Sequence, residues 1–150
     1  MENILDKTIA QKTIQRIENL TPTSQPQWGK MNVAQMLAHC CVAYEMIYTD
    51  KHPEPNAFVK LLLKLFVKKA VVSEKPYPKN GRTAPQFMIT SERDFSKEKT
   101  RLINYILKTS ELGEAHFEGK LSHSFGKLTA KEWNNSFAKH LDHHLTQFGV

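Results

Sequence analysis

Residues 133–148, WNNSFAKHLDHHLTQF, decide the fold. At about 100° per residue, His140, His144 and Gln147 fall on the same face as Trp133 and Phe137. A face built only for packing has no use for three polar groups. His140 and His144 are one helical turn apart, roughly 6 Å, so both imidazoles can meet a single ion. His143 lies about 60° round from His140 and can replace either ligand or serve as a base behind them. It ranks below His144, which is nearer the centre of the face. Asp142 points the other way and reads as a solvated charge.

Working back along the chain, Thr129 reads as an N-cap for this helix, and Glu132 three residues on completes a capping box. Before it, the stretch EAHFEGKLSHSFGKL reads as a loop. The spacing of Phe95, Leu102, Ile103, Ile106 and Leu107 predicts a helix to near Leu112, capped by Ser91 with Glu92 and Asp94 in its first turn and stopped by Gly113. The segment SEKPYPKNGRTAPQF, with three prolines and a glycine, predicts a long crossover or flap of the kind that shapes binding sites. Residues 57–72 read as helical and almost wholly apolar, with Lys60, Lys64 and Lys68 as a narrow basic seam. Such an arc faces either the chain's own core, a partner subunit or a membrane surface, and the core is the expectation.

A helix is predicted over about 32–48, with Val33, Met36, Leu37, Cys40, Tyr44, Ile47 and Tyr48 as its stripe and His39 at the stripe's edge. Another spans 3–20 on Ile4, Leu5, Ile9, Ile14 and Ile17, followed by a loop, TPTSQPQWGK, anchored by Trp28. No run alternates with period two. The fold class expected is all-α, four main helices with a short accessory one, which is the plan of a four-helix bundle.

Two histidines from one helix leave a third protein ligand to be found. His39 is the candidate, because His52, His116 and His123 fall in loops or at loop edges. A His39, His140, His144 set would leave positions open for water or substrate, as a catalytic divalent ion requires. Cys40 and Cys41 follow His39 directly, but Cys40 sits on the apolar stripe and behaves there as a small hydrophobe. No Ser-His-Asp pattern, phosphate-binding glycine loop or nucleotide fingerprint is present.

The chain's 150 residues, 40% apolar and 24% charged, suit one soluble domain spanning 1–150. Its net charge of +6 favours anionic partners weakly. Without zinc knuckles, basic stretches interleaved with aromatics or a helix-turn-helix pattern, no specific nucleic-acid partner is expected. The two cysteines are adjacent, which excludes an ordinary intramolecular disulfide and fits a reducing compartment. No signal-peptide pattern or run of about 20 apolar residues is found. A cytoplasmic location and no membrane partner are the expectations.

GKMNVAQMLAHC, with His39, FGKLTAKEW, and KHLDHHLTQFG, with His140 and His144, together resemble the DinB-like superfamily, and within it a branch known only as a domain of unknown function. The resemblance spans nearly the whole chain. It implies a four-helix bundle of up-down-down-up topology, frequent homodimers, and zinc or nickel held by His39, His140 and His144. It further implies that an enzyme of this type would be a thiol-dependent transferase or isomerase whose ion activates a low-molecular-weight thiol such as bacillithiol, mycothiol or glutathione. Gln147 and Tyr44 would then orient ligands, and the loop 75–82 would offer positive charge to an anionic thiol. A metal-dependent hydrolase and a non-enzymatic metal-binding or stress protein are the alternatives, because one fold hosts unrelated chemistries.

Overall fold

The computed structural model describes residues 1–150. Six α-helices dominate it: α1 (Lys7–Glu18), α2 (Val33–Tyr48), α3 (Ala57–Phe66), α4 (Lys68–Val72), α5 (Phe95–Phe117) and α6 (Ala130–Gln147). A single 3-10 turn, Pro85–Phe87, interrupts the long segment between α4 and α5. The all-α expectation holds except for a two-stranded antiparallel hairpin, β1 (Leu121–Ser122) and β2 (Gly126–Lys127), too short to show as alternation in sequence.

The helix starts follow from their caps. At α6, Thr129 accepts from the Glu132 backbone N–H while the Glu132 carboxylate accepts from the Thr129 N–H, the reciprocal box expected there. Asn32 and Gln35 make the equivalent box at α2, an unforeseen one. At α5 the expectation of a Ser91 cap is corrected. Asp94 caps it, accepting from Lys97 N–H at 2.7 Å. Ser91 instead offers its carbonyl oxygen to Gln35. Gly113 breaks the helical path with φ +67°, as its position suggested, but the chain then resumes one more turn to Phe117.

Helices α1, α2, α5 and α6 share one cluster of 21 buried residues, including Ile14, Ile17, Leu37, Tyr44, Leu102, Ile106, Phe137 and Leu145. Tyr44 lies parallel to Phe137 at 4.8 Å and to Tyr105 at 5.6 Å. Beside this core, Glu45 of α2 is buried but receives Lys51, His52 and Arg101. That pairing satisfies an anion that burial alone would make costly.

The expectation that 57–72 packs into the core is overturned. The segment breaks at Val67 into α3 and α4, and neither contains a buried residue. Only α4 is tied down. The buried Lys139 amine of α6 donates to the carbonyl oxygens of Ala70 and Ser73, and Asn135 donates to that of Val72. These bonds satisfy carbonyls at a helix end that would otherwise lack partners. No helix is long and apolar enough to cross a membrane.

Candidate metal centre

His39 of α2 meets His140 and His144 of α6 where the two helices pass. The ligand atoms of His39, His140 and His144 all lie within 4.8 Å of one another. The Nε2 atoms of His39 and His140 are 2.9 Å apart. Two nitrogens on one tetrahedral zinc lie roughly 3.3 Å apart, so the spacing is close to that of a shared ion. His39 and His144 are buried and His140 is half-buried.

The hydrogen bonds behind the rings fix which nitrogens face inward. The Phe87 carbonyl oxygen can only accept, so His39 Nδ1–H donates to it at 2.8 Å and leaves Nε2 as a lone pair. Gln147 does the same for His144. Its Nε2 donates to the Trp28 carbonyl oxygen at 2.6 Å, which turns Oε1 toward His144 Nδ1 at 2.8 Å. His144 therefore also presents a bare Nε2. Such outer hydrogen bonds orient imidazole ligands and raise their basicity.

Gly29 makes the Gln147 bond achievable. It stands at φ +85°, and a Cβ there would come 2.5 Å from Gln147 Nε2.

Burial sets the charge state. It lowers the pKa of His140 far below the ordinary value, aided by repulsion from His39, His144 and His143. Burial takes His144 down to about 3, against a smaller opposing pull from Gln147. His39 is lowered by burial too, in spite of its bond to Phe87. At neutral pH all three are uncharged, the form a metal requires. Two inward lone pairs with one shared proton at most make an electron-rich site that a cation fits. No carboxylate belongs to the cluster.

The other sequence candidates separate clearly. Gln147 touches the cluster directly. His143 does not join it. Its ring is 5.0 Å from that of His144 and edge-on to both Trp28 and Tyr77. Tyr44 lies in the hydrophobic core, its hydroxyl buried without a partner, rather than beside the histidines. Within the loop 75–82, Lys79 lies over the Trp28 ring at 4.3 Å. Cys40 and Cys41 are buried, and burial pushes the Cys41 thiol up to about 12 and Cys40 well above its usual range. Neither is a ready thiolate.

His52, His116 and His123 lie outside the cluster, and His52 and His123 instead border a cavity of about 390 Å³ beside the hairpin.

Phe87, Gly29 and the Trp28 carbonyl were not found from sequence. The first packs its ring against His39 at 5.5 Å and His140 at 5.8 Å, so the 3-10 turn of the crossover segment forms one wall of the centre. The flap expectation gave only the region. Main-chain carbonyls carry no residue signature.

The fold and site together define a helical protein with a buried three-histidine centre able to hold a metal ion. The chain belongs to the family described as a protein of unknown function, DUF1569, whose model matches residues 2–149. No curated protein and no solved structure is significantly similar to it.

Proposed function

We propose that this chain is a metal-dependent enzyme of the DinB-like superfamily, a single-domain four-helix bundle of up-down-down-up topology in which His39, His140 and His144 hold zinc or nickel. The reaction proposed is thiol S-transfer, with a low-molecular-weight thiol as nucleophile and a small electrophile as acceptor, in the cytoplasm. The observation that carries this reading is the convergence of neutral imidazoles with two Nε2 lone pairs fixed by Phe87 and Gln147.

A divalent ion bound there would supply Lewis acidity, which lowers the pKa of a thiol beside it. Because the three ligands are neutral, the site favours an anionic fourth partner such as a thiolate. The chain's own thiols are buried and protonated, so the sulfur comes from outside. The thiolate sulfur bonds to the electrophilic carbon as the leaving group departs with the bonding pair, and the thiol proton passes to solvent. Phe87 screens one side of the centre. The Trp28 indole N–H is buried without a partner, on a ring edge-on to His143.

A hydrolase is the second reading. It rests on His143, placed beside His144 and half-buried, as the base for water.

Metal content of untagged protein, measured beside His144→Ala, tests the centre. One ion per chain in the wild type and none in the variant is expected. Turnover of an alkyl or aryl halide that requires glutathione, bacillithiol or mycothiol then supports transfer. Ester hydrolysis without thiol would favour the second reading. A metal-free protein that takes up neither zinc nor nickel would leave a non-enzymatic role.

A further inference from the structure

The longest unpartnered apolar feature of the molecule is α3. Phe58, Leu61, Leu62 and Leu65 follow the i, i+3, i+4, i+7 spacing of one helix face, and all four point outward, with Leu65 63% and Phe58 69% exposed. Phe66 adds to them at 76%. Contiguous apolar surface of this kind on a folded protein marks a contact site.

Charge says what kind of contact. Residues 56–82 contain seven Lys or Arg and one acidic residue, whereas the rest of the chain has fourteen of each sign. The whole net charge of +6 therefore lies in the segment that carries the apolar helix. Of its cations, only Lys60, Lys68 and none of Lys64, Lys69, Lys75, Lys79 or Arg82 are held in ion pairs, with Glu54 and Glu132 as partners.

We infer that α3 is a docking element for an anionic lipid surface, lying in the plane of the bilayer with Phe58, Leu61, Leu62 and Leu65 in the acyl boundary and the neighbouring lysines among the headgroups. A short convex helix with aromatic and leucine side chains outward and basic residues around it is suited to an interface that yields to it. Lysine stems can bury their methylenes there while the amines stay wet.

A second copy of the chain fits less well. It would bring two basic segments together with a single acidic residue in each, and like charges brought together are penalised. A helix of ten residues is also only about 15 Å long, short for the roughly 800 Å² that each partner of a stable dimer buries. The expectation of no membrane partner rested on the lack of a spanning run, which holds, and on the burial of 57–72, which the structure does not have; a helix lying on the surface needs only the second to fail.

The test is co-sedimentation of the full chain with vesicles of phosphatidylcholine alone or with roughly 30 mol% phosphatidylglycerol, at low and high salt. Binding to the anionic vesicles that drops about tenfold or more in Leu61→Glu/Leu65→Glu, in Lys64→Glu/Lys69→Glu and at high salt is expected. Far-ultraviolet circular dichroism should show both variants as folded as the wild type.

The inference is overturned if the wild type ignores anionic vesicles, or if it binds them equally well with Leu61→Glu/Leu65→Glu. A wild-type dimer in light scattering that this variant turns into monomer would also overturn it, since a second copy would then cover the face. Metal content does not enter the assay, so its result is independent of the proposed catalytic role.

Discussion

Three imidazoles, two buried and one half-buried, lie together between α2 and α6, while α3 leaves Phe58 and Phe66 about two-thirds to three-quarters uncovered at 69% and 76%. In one region polar groups occupy places that packing would give to leucine. In the other, leucine and phenylalanine occupy places that solvation would give to lysine. Folding free energy explains neither, since buried polar groups need partners and exposed apolar ones contribute nothing. The difference teaches where to look for function: the apolar cluster of α1, α2, α5 and α6 obeys the burial rule, buried Glu45 and Lys139 are satisfied by partners, and the histidine centre and α3 stand apart as separate sites. In the histidine centre, His39 and His144 are held from outside by hydrogen bonds to Phe87 and Gln147. α3 has no such support.

The largest way to break the comparison is to remove a ligand. His144→Ala should lower zinc affinity on the order of 1,000-fold or more, given the ~10–16 kcal/mol typical of structural zinc shared among few ligands. Titration against a chelator of known affinity measures it, and an unchanged value would mean that His144 is no ligand. Next comes Gly29→Ala, which forces a methyl to within 2.5 Å of Gln147 Nε2 at a φ of +85°. Losing the Gln147 support should cost about 10- to 100-fold in metal affinity. Gln147→Leu should match it with Gly29 intact, and a Gly29→Ala protein with wild-type affinity would break the proposed chain from Gly29 to His144.

Much of the site is legible in the sequence. The i, i+4 spacing of His140 and His144 and the capping box of Thr129 and Glu132 are local patterns, and local patterns survive folding unchanged. His39 needed tertiary contact to join them, and its mid-helix place was the clue. The Phe87 and Trp28 carbonyls could not be read, because every residue has one and only the path of the loop selects it. Periodicity also misled at 57–72. It reports that a helix has an apolar face, not whether the same chain supplies something to cover it. Ser91 failed as a cap because Asp94, three residues on, has equal local merit, and the sequence does not say which of the two starts the helix.

Acid should separate the two regions further. A histidine whose folded pKa is lowered contributes nothing to the pH dependence above its unfolded value of 6.5, where both states are neutral. Below that value the unfolded chain takes up protons that the folded site refuses, so stability falls with pH until about 3, where His144 itself titrates. For His144 alone the metal-free protein should lose about 2 kcal/mol between pH 7 and pH 5. Urea midpoints across that range measure it, and His144→Leu should flatten the slope. A stability independent of pH over this window would mean that the centre is open to water and its histidines are not held neutral.

The smallest effect is expected at α3, and its smallness is the point. Leu65→Gln and Phe66→Gln replace side chains that are 63% and 76% exposed, so unfolding uncovers little additional apolar surface at either position. Leucine and glutamine differ little in helix propensity, which leaves no second source of destabilisation at Leu65. Each variant should stay within about 0.5 kcal/mol of wild type in urea unfolding, the usual range for surface substitutions. Phe137→Ala, removing a ring that is 2% exposed and stacked between Tyr44 and Trp133, should cost about 3–5 kcal/mol in the same assay. A loss above about 1 kcal/mol for Leu65→Gln would show that something covers α3 in free solution. If the loss grew with protein concentration, that cover would be another copy of the chain, because only an oligomer ties stability to concentration.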